Sequence, residues 1–121
     1  MSSYQSRLRI KKIDEITRVE FIDRNILDEG NIQAIGDEIT EVIDAESCPR
    51  LLISFANVDH LSSSALGTLI TISRRVKNRG GELRLSDIDP QIYDVFVITR
   101  LNKIFDIHDT SDDALKSFQK S

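Results

Sequence analysis

Cysteine is almost absent from this chain. Cys48 stands alone, so no internal disulfide can form, which fits a reducing compartment. Long apolar runs are missing as well: none approaches the roughly 20 residues that span a bilayer. The opening MSSYQSRLRI has no apolar stretch of the signal-peptide kind. A cytoplasmic location without membrane insertion is expected. Histidine is scarce, and neither His60 nor His108 has ligand-like spacing to Cys48, so no metal and no cofactor is expected. The few glycines form no phosphate-cradling loop. Gly80-Gly81 matches neither GxGxxG nor GxxxxGK, and no GxSxG elbow occurs. A strong charge of either sign is also lacking. The net charge is −4 and its acids are scattered, which argues against a nucleic-acid partner.

What remains is an ordinary globular composition, with 40% apolar and 30% charged residues in 121. That length suits one domain over residues 1–121 that buries one core without staples, residues 1–4 being expected as a flexible N-terminus. Arg7 to Lys12 alternates, with Leu8 and Ile10 on one face, and a second alternating run carries Val19 and Phe21. Ile13, Asp14 and Glu15 between them suggest a hairpin. Ile32, Ile35, Ile39, Val42 and Ile43 then follow three- and four-residue steps, one stripe of a helix with Asp28 as a possible cap and Pro49 limiting the following loop. RLLISF, residues 50–55, is almost continuously apolar, as in a strand covered on both faces.

A second helix is expected from about Ser63 to Arg79. Ala65, Leu66, Leu69, Ile70, Ile72, Ser73 and Val76 share its inner arc, and Ser64, Thr68, Thr71 and Arg75 the outer one. Gly80 should stop it in the left-handed conformation. GELRL gives another strand, and Asp89-Pro90 starts a third helix with Val95, Phe96 and Leu101 inward. KIFDI is expected as a short last strand. Thr110 and Asp113 resemble a capping box for a final helix burying Leu115 and Phe118. The order β-β-α-β-α-β-α-β-α makes an α/β sandwich, with a mixed sheet of four to five strands packed against four helices.

The informative junction is DHLSSSALG, residues 59–67. Ser62 is the natural N-cap, which places Ser63 at the first helical position and Ser64 beside the outer strip. Clustered serines at a helix start are ordinary, so cap, filler and surface hydroxyl all stay open. Asp59, His60 and Ser63 have the letters of a nucleophilic site, but neighbours so close in sequence point in divergent directions. A small serine hydrolase therefore stands behind the binding readings.

LLISFANVDHLSSSALGTLITISRRVKNRGGELRL, continued by SDIDPQIYDVFVITRLNKIFDI, resembles the central block of STAS domains, especially bacterial anti-sigma-factor antagonists. The likeness runs from about Val19 to Ile107. Members typically carry an aspartate, two hydroxyl residues and then GLG opening the helix. Ser62, Ser63, Ser64, Ala65, Leu66 and Gly67 hold those places here. Ser62 thus replaces the family aspartate, keeping a cap and losing a charge, and Ala65 replaces the first glycine.

The resemblance implies a partner switch. The unmodified antagonist binds an anti-sigma factor that is also a serine kinase. The kinase phosphorylates the antagonist and a protein phosphatase removes the group. The phosphoacceptor position falls on Ser63, with Ser62 and Ser64 as second choices. The chain is then a phosphoacceptor and binding protein, not a catalyst. The expected docking surface is Ser62, Ser63, Ser64, Gly67, Thr68, Thr71 and Arg75, a low-bulk polar strip extended by the positive charge of Arg74 and Arg75. Gly67 either opens that strip or packs closely on the sheet. An unmodified STAS module serving a transporter or sensor complex is the alternative.

Overall fold

A computed structural model describes residues 8–26 and 29–119. A five-stranded sheet carries helices on both faces. Strand β1 (Leu8–Ile13) pairs antiparallel with β2 (Ile16–Phe21), in the register Ile13↔Ile16. That leaves a two-residue turn in which Asp14 takes φ 55°. Ile13 therefore belongs to the strand, not to the turn. Strands β4 (Arg50–Ser54), β6 (Glu82–Ser86) and β7 (Asp106–His108) follow in parallel, for the order β1-β2-β4-β6-β7. A two-residue parallel pair, β3 (Asn25–Ile26) with β5 (His60–Leu61), lies outside this sheet and was not expected. Four helices complete the chain: α1 (Glu29–Asp44), α2 (Ser63–Asn78), α3 (Pro90–Ile98) and α4 (Ser111–Gln119).

Strand alternation divides the core. Val19, Phe21, Leu51, Ile53 and Leu85 face Ile32, Ile35, Ile39, Ile43, Leu69, Ile72, Val76 and Phe96 of α1, α2 and α3. Leu52 and Ile16 point the other way, against Ala114 and Phe118 of α4. This two-sided burial is why β4 reads as a continuous apolar run. Leu8 is buried with the main core, whereas Ile10 on the same edge strand is exposed. The expected Asp28 cap and residues 1–4 lie outside the described residues.

The helix ends follow local chemistry. Gly80 has φ 72°, its N–H bonds Lys77 O at 3.0 Å, and the Gly81 N–H bonds Val76 O at 2.9 Å. These two bonds close α2 as a Schellman motif. Asp89 caps α3 by accepting from the Gln91 N–H at 2.9 Å, and Thr110 caps α4 by accepting from the Asp113 N–H at 3.1 Å. The structure departs from the expected inner face and element bounds after Pro90. Val95 is exposed, and Ile92 is the residue that turns inward with Phe96. Leu101 is buried, but in a 3₁₀ turn (Leu101–Lys103) that begins after Arg100 at φ 64°. The first three residues of KIFDI finish that turn, because Phe105 packs edge-on against Phe96 at 5.9 Å, and only Asp106–His108 pairs with β6.

On the α4 side, Asp87 sits at φ 59° just past β6. Its Oδ2 accepts hydroxyls from Ser54 at 3.2 Å, Ser86 at 2.7 Å and Ser111 at 2.7 Å. One carboxylate oxygen thus ties β4, β6 and α4 together, a half-buried polar seam satisfied from three directions.

Candidate docking and modification site

The triple serine is delivered by a segment pinned at both ends. Phe55 and Val58 are buried, and the Phe55 N–H bonds Ser86 O at 2.9 Å. The Asp59 N–H bonds Arg24 O at 2.7 Å, and the Ser62 N–H bonds Ile26 O at 3.0 Å. These bonds and the β3–β5 pair fix where α2 begins. Ser62 is extended, with φ −81° and ψ 165°, and its Oγ accepts from the Ala65 N–H at 3.2 Å. It is the cap that the sequence predicts. Ser63 opens the helix with its side chain exposed, and Ser64 is exposed beside it.

The outer strip has two parts. A Cβ built on Gly67 would meet nothing within 4 Å, so close packing against the sheet is excluded there and the glycine leaves the surface low. Thr68 and Thr71 donate to the carbonyls of Ser64 and Gly67, both at 3.2 Å. They wall a groove against Gln33, Gly36 and Thr40 of α1. The two helices meet closely at this seam, since a Cβ on Gly36 would stand 3.0 Å from Thr68 Cγ2.

Arg75 does not reach out as free charge. Its Nε and Nη2 bond the two carboxylate oxygens of Asp44 on α1 at 3.0 and 2.7 Å. This guanidinium hydrogen bond holds the Asp44 carboxyl below the usual carboxylate range, and the pair raises Arg75 in turn. The positive charge expected from both arginines is left to Arg74, which is exposed. Asp59 is likewise engaged, with Arg24 Nε at 2.9 Å. Among the described residues no hydrogen bond joins Asp59, His60 and Ser63, so the residues required for a hydrolytic triad are near in sequence and unconnected in space.

Sequence reasoning missed a cleft beside these serines. About 200 Å³ opens between the start of α2 and α3, lined by Asp59, His60, Leu61, Leu66, Gln91, Ile92 and Val95. The available signal was the composition of α3, whose apolar residues occur on all sides of the helix.

The STAS domain model matches residues 8–114. The chain belongs to the STAS domain family. This STAS domain is 25% identical over 93 residues to the anti-sigma F factor antagonist of Paenibacillus polymyxa, covering 77% of this chain and 80% of that one. Its fold superposes on an anti-sigma-factor antagonist (STAS) domain protein from Planctomyces limnophilus with a TM-score of 0.83, at 19% identity, over 91% of this chain and 96% of the other. The phosphorylated form of the Bacillus cell fate determinant SpoIIAA gives a TM-score of 0.71 at 16% identity, over 92% and 98% of the two chains. Both likenesses concern the fold. Among the described residues, no helix is long and apolar enough to cross a membrane.

Proposed function

We propose that this STAS domain is an anti-sigma-factor antagonist that docks an anti-sigma kinase on the N-terminal half of α2 and is released when that kinase phosphorylates Ser63. The observation that carries this reading is the split between adjacent hydroxyls: Ser62 is committed to the cap, while Ser63 is exposed beside the open surface at Gly67. A relative named as an anti-sigma F factor antagonist supports the partner class.

A phosphate at Ser63 would add about −1.5 to −2 charges and three strong acceptors. In the free protein it would lie at the positive end of a 16-residue helix with no acidic residue in its first turn, where dipole and free N–H groups favour an anion. Beneath a docked partner the same dianion loses water and is badly paired. Moving a complex from nine-tenths to one-tenth bound takes about an 81-fold change in affinity, or ~2.6 kcal/mol, which such a charge can supply without altering the core. A protein phosphatase would reverse the step.

Incubation with ATP and each ATP-binding anti-sigma protein of the source organism, followed by mass spectrometry, tests the assignment. The expected result is one phosphate on Ser63, and binding weakened by roughly tenfold or more in Ser63→Asp with the melting temperature unchanged. Modification at Thr68 or at no residue, with binding unchanged in Ser63→Asp, overturns the reading.

A further inference from the structure

Helix α3 is apolar nearly all round, a pattern that belongs to helices covered on every side, yet only Ile92 and Phe96 are buried. Val95 is 40% exposed and Ile98 79%. With about 100° between successive residues, Asp94, Ile98, Gln91 and Val95 share one outward arc, and Tyr93 and Val97 lie on the other flank. Val95 also forms one wall of the cleft whose other side is Leu61 and Leu66, the first directly before the serine cluster and the second two positions after it. The cleft and the Ser63 strip are therefore one continuous surface.

A stable complex buries about 800 Å² on each partner and concentrates its energy in a few large anchored side chains. The strip from Ser63 to Thr71 presents only hydroxyls, a bare glycine and methyls, so it holds no such anchor. Val95 in the cleft wall supplies adjoining apolar surface, and Ile98 on the same arc of α3 extends it. A second copy of this chain is a poor occupant, because a two-fold pairing centred on the exposed face of α3, opposite Ile92 and Phe96, would bring Asp94 against Asp94. Asp94 is exposed at the middle of that face, so a basic residue is the complementary group a partner would set against it.

Resting on the reading of Ser63 above, the geometry points to a two-part footprint: the anti-sigma partner crosses the Leu66–Val95 cleft and lays an apolar segment bearing a basic residue over Val95, Ile98 and Asp94. The Ser63 half then carries the switch and the α3 half carries most of the grip.

A small diazirine amino acid installed at Ser64, or separately at Ile98, and irradiated in cells of the source organism tests this. The expected result is capture of one and the same ATP-binding anti-sigma protein from both positions. Capture from Ser64 should fall roughly tenfold in Ile98→Glu and in Asp94→Lys. It should stay within about twofold in Val97→Glu, on the other flank, with circular dichroism showing all three variants folded. Capture from Ser64 that persists undiminished in Ile98→Glu and Asp94→Lys overturns the α3 half alone. So does a different protein, or none, at position 98. If Ser64 captures no protein, the Ser63 reading fails and takes this inference with it.

Discussion

At the scale of single residues, Ser62 and Ser63 illustrate how one covalent step along the chain separates support from display. The Ser62 Oγ satisfies the Ala65 N–H, a donor that would otherwise have no partner within the helix. Ser62→Ala should cost about 1 kcal/mol in urea unfolding. Ser62→Asp should restore most of this, since a carboxylate caps as well and also meets the helix dipole. The cap was legible in the sequence because capping depends on residue type and on spacing of three. The openness at Gly67 was not, since a glycine has no side chain whose polarity could tell solvent from sheet. Arg75 was half legible: periodicity put it on the outer arc, but nothing local could reveal Asp44, 31 positions away, as its partner.

Among elements, the Asp44–Arg75 bridge fastens the C-terminal end of α1 to α2, alongside the close Gly36–Thr68 seam. Its pH dependence has a definite sign. Asp44 is depressed below its ordinary value of 3.8 in the folded protein. The bridge therefore contributes stability above that value and loses it as pH falls through the folded pKa. Arg75→Gln should raise the Asp44 pKa toward 3.8, measurable by carboxyl NMR titration, and should remove this part of the acid sensitivity. Both side chains are well exposed, so high salt should weaken the effect. The elements themselves divide by legibility. The three-and-four-residue stripes of α1 and α2 and the caps of α3 and α4 could be read directly. The two-residue strands β3 and β5 are too short to show a period. Val95 was misplaced because a helix with apolar residues on every side offers no contrast from which an inner face can be chosen.

For the whole molecule, the sheet separates a large core beneath α1, α2 and α3 from a small one beneath α4. The smaller side relies on few side chains. Phe118 is buried, packs with Leu52 and Ile16, and carries the Arg84 guanidinium 4.5 Å above its ring. Phe118→Ala should cost about 3–5 kcal/mol. Amide exchange in α4 should rise before that in α2, because α4 opens as the less supported unit. The sandwich was legible from the order of elements, and β4 announced its double burial through an unbroken apolar run. The Asp87 seam was not, since three serines and one aspartate scattered over the chain converge only after folding.

The course of α4 has a practical consequence. It begins at Ser111, beside the carboxyl ends of β4 and β6, and runs back to Phe118 against Ile16 at the opposite margin of the sheet. Its end therefore sits diagonally across the molecule from Ser63. A bulky fluorophore or a solid support attached to a side chain at that end of α4 would leave the first turn of α2 unobstructed, which makes it the natural anchoring point for measuring whether a partner docks there.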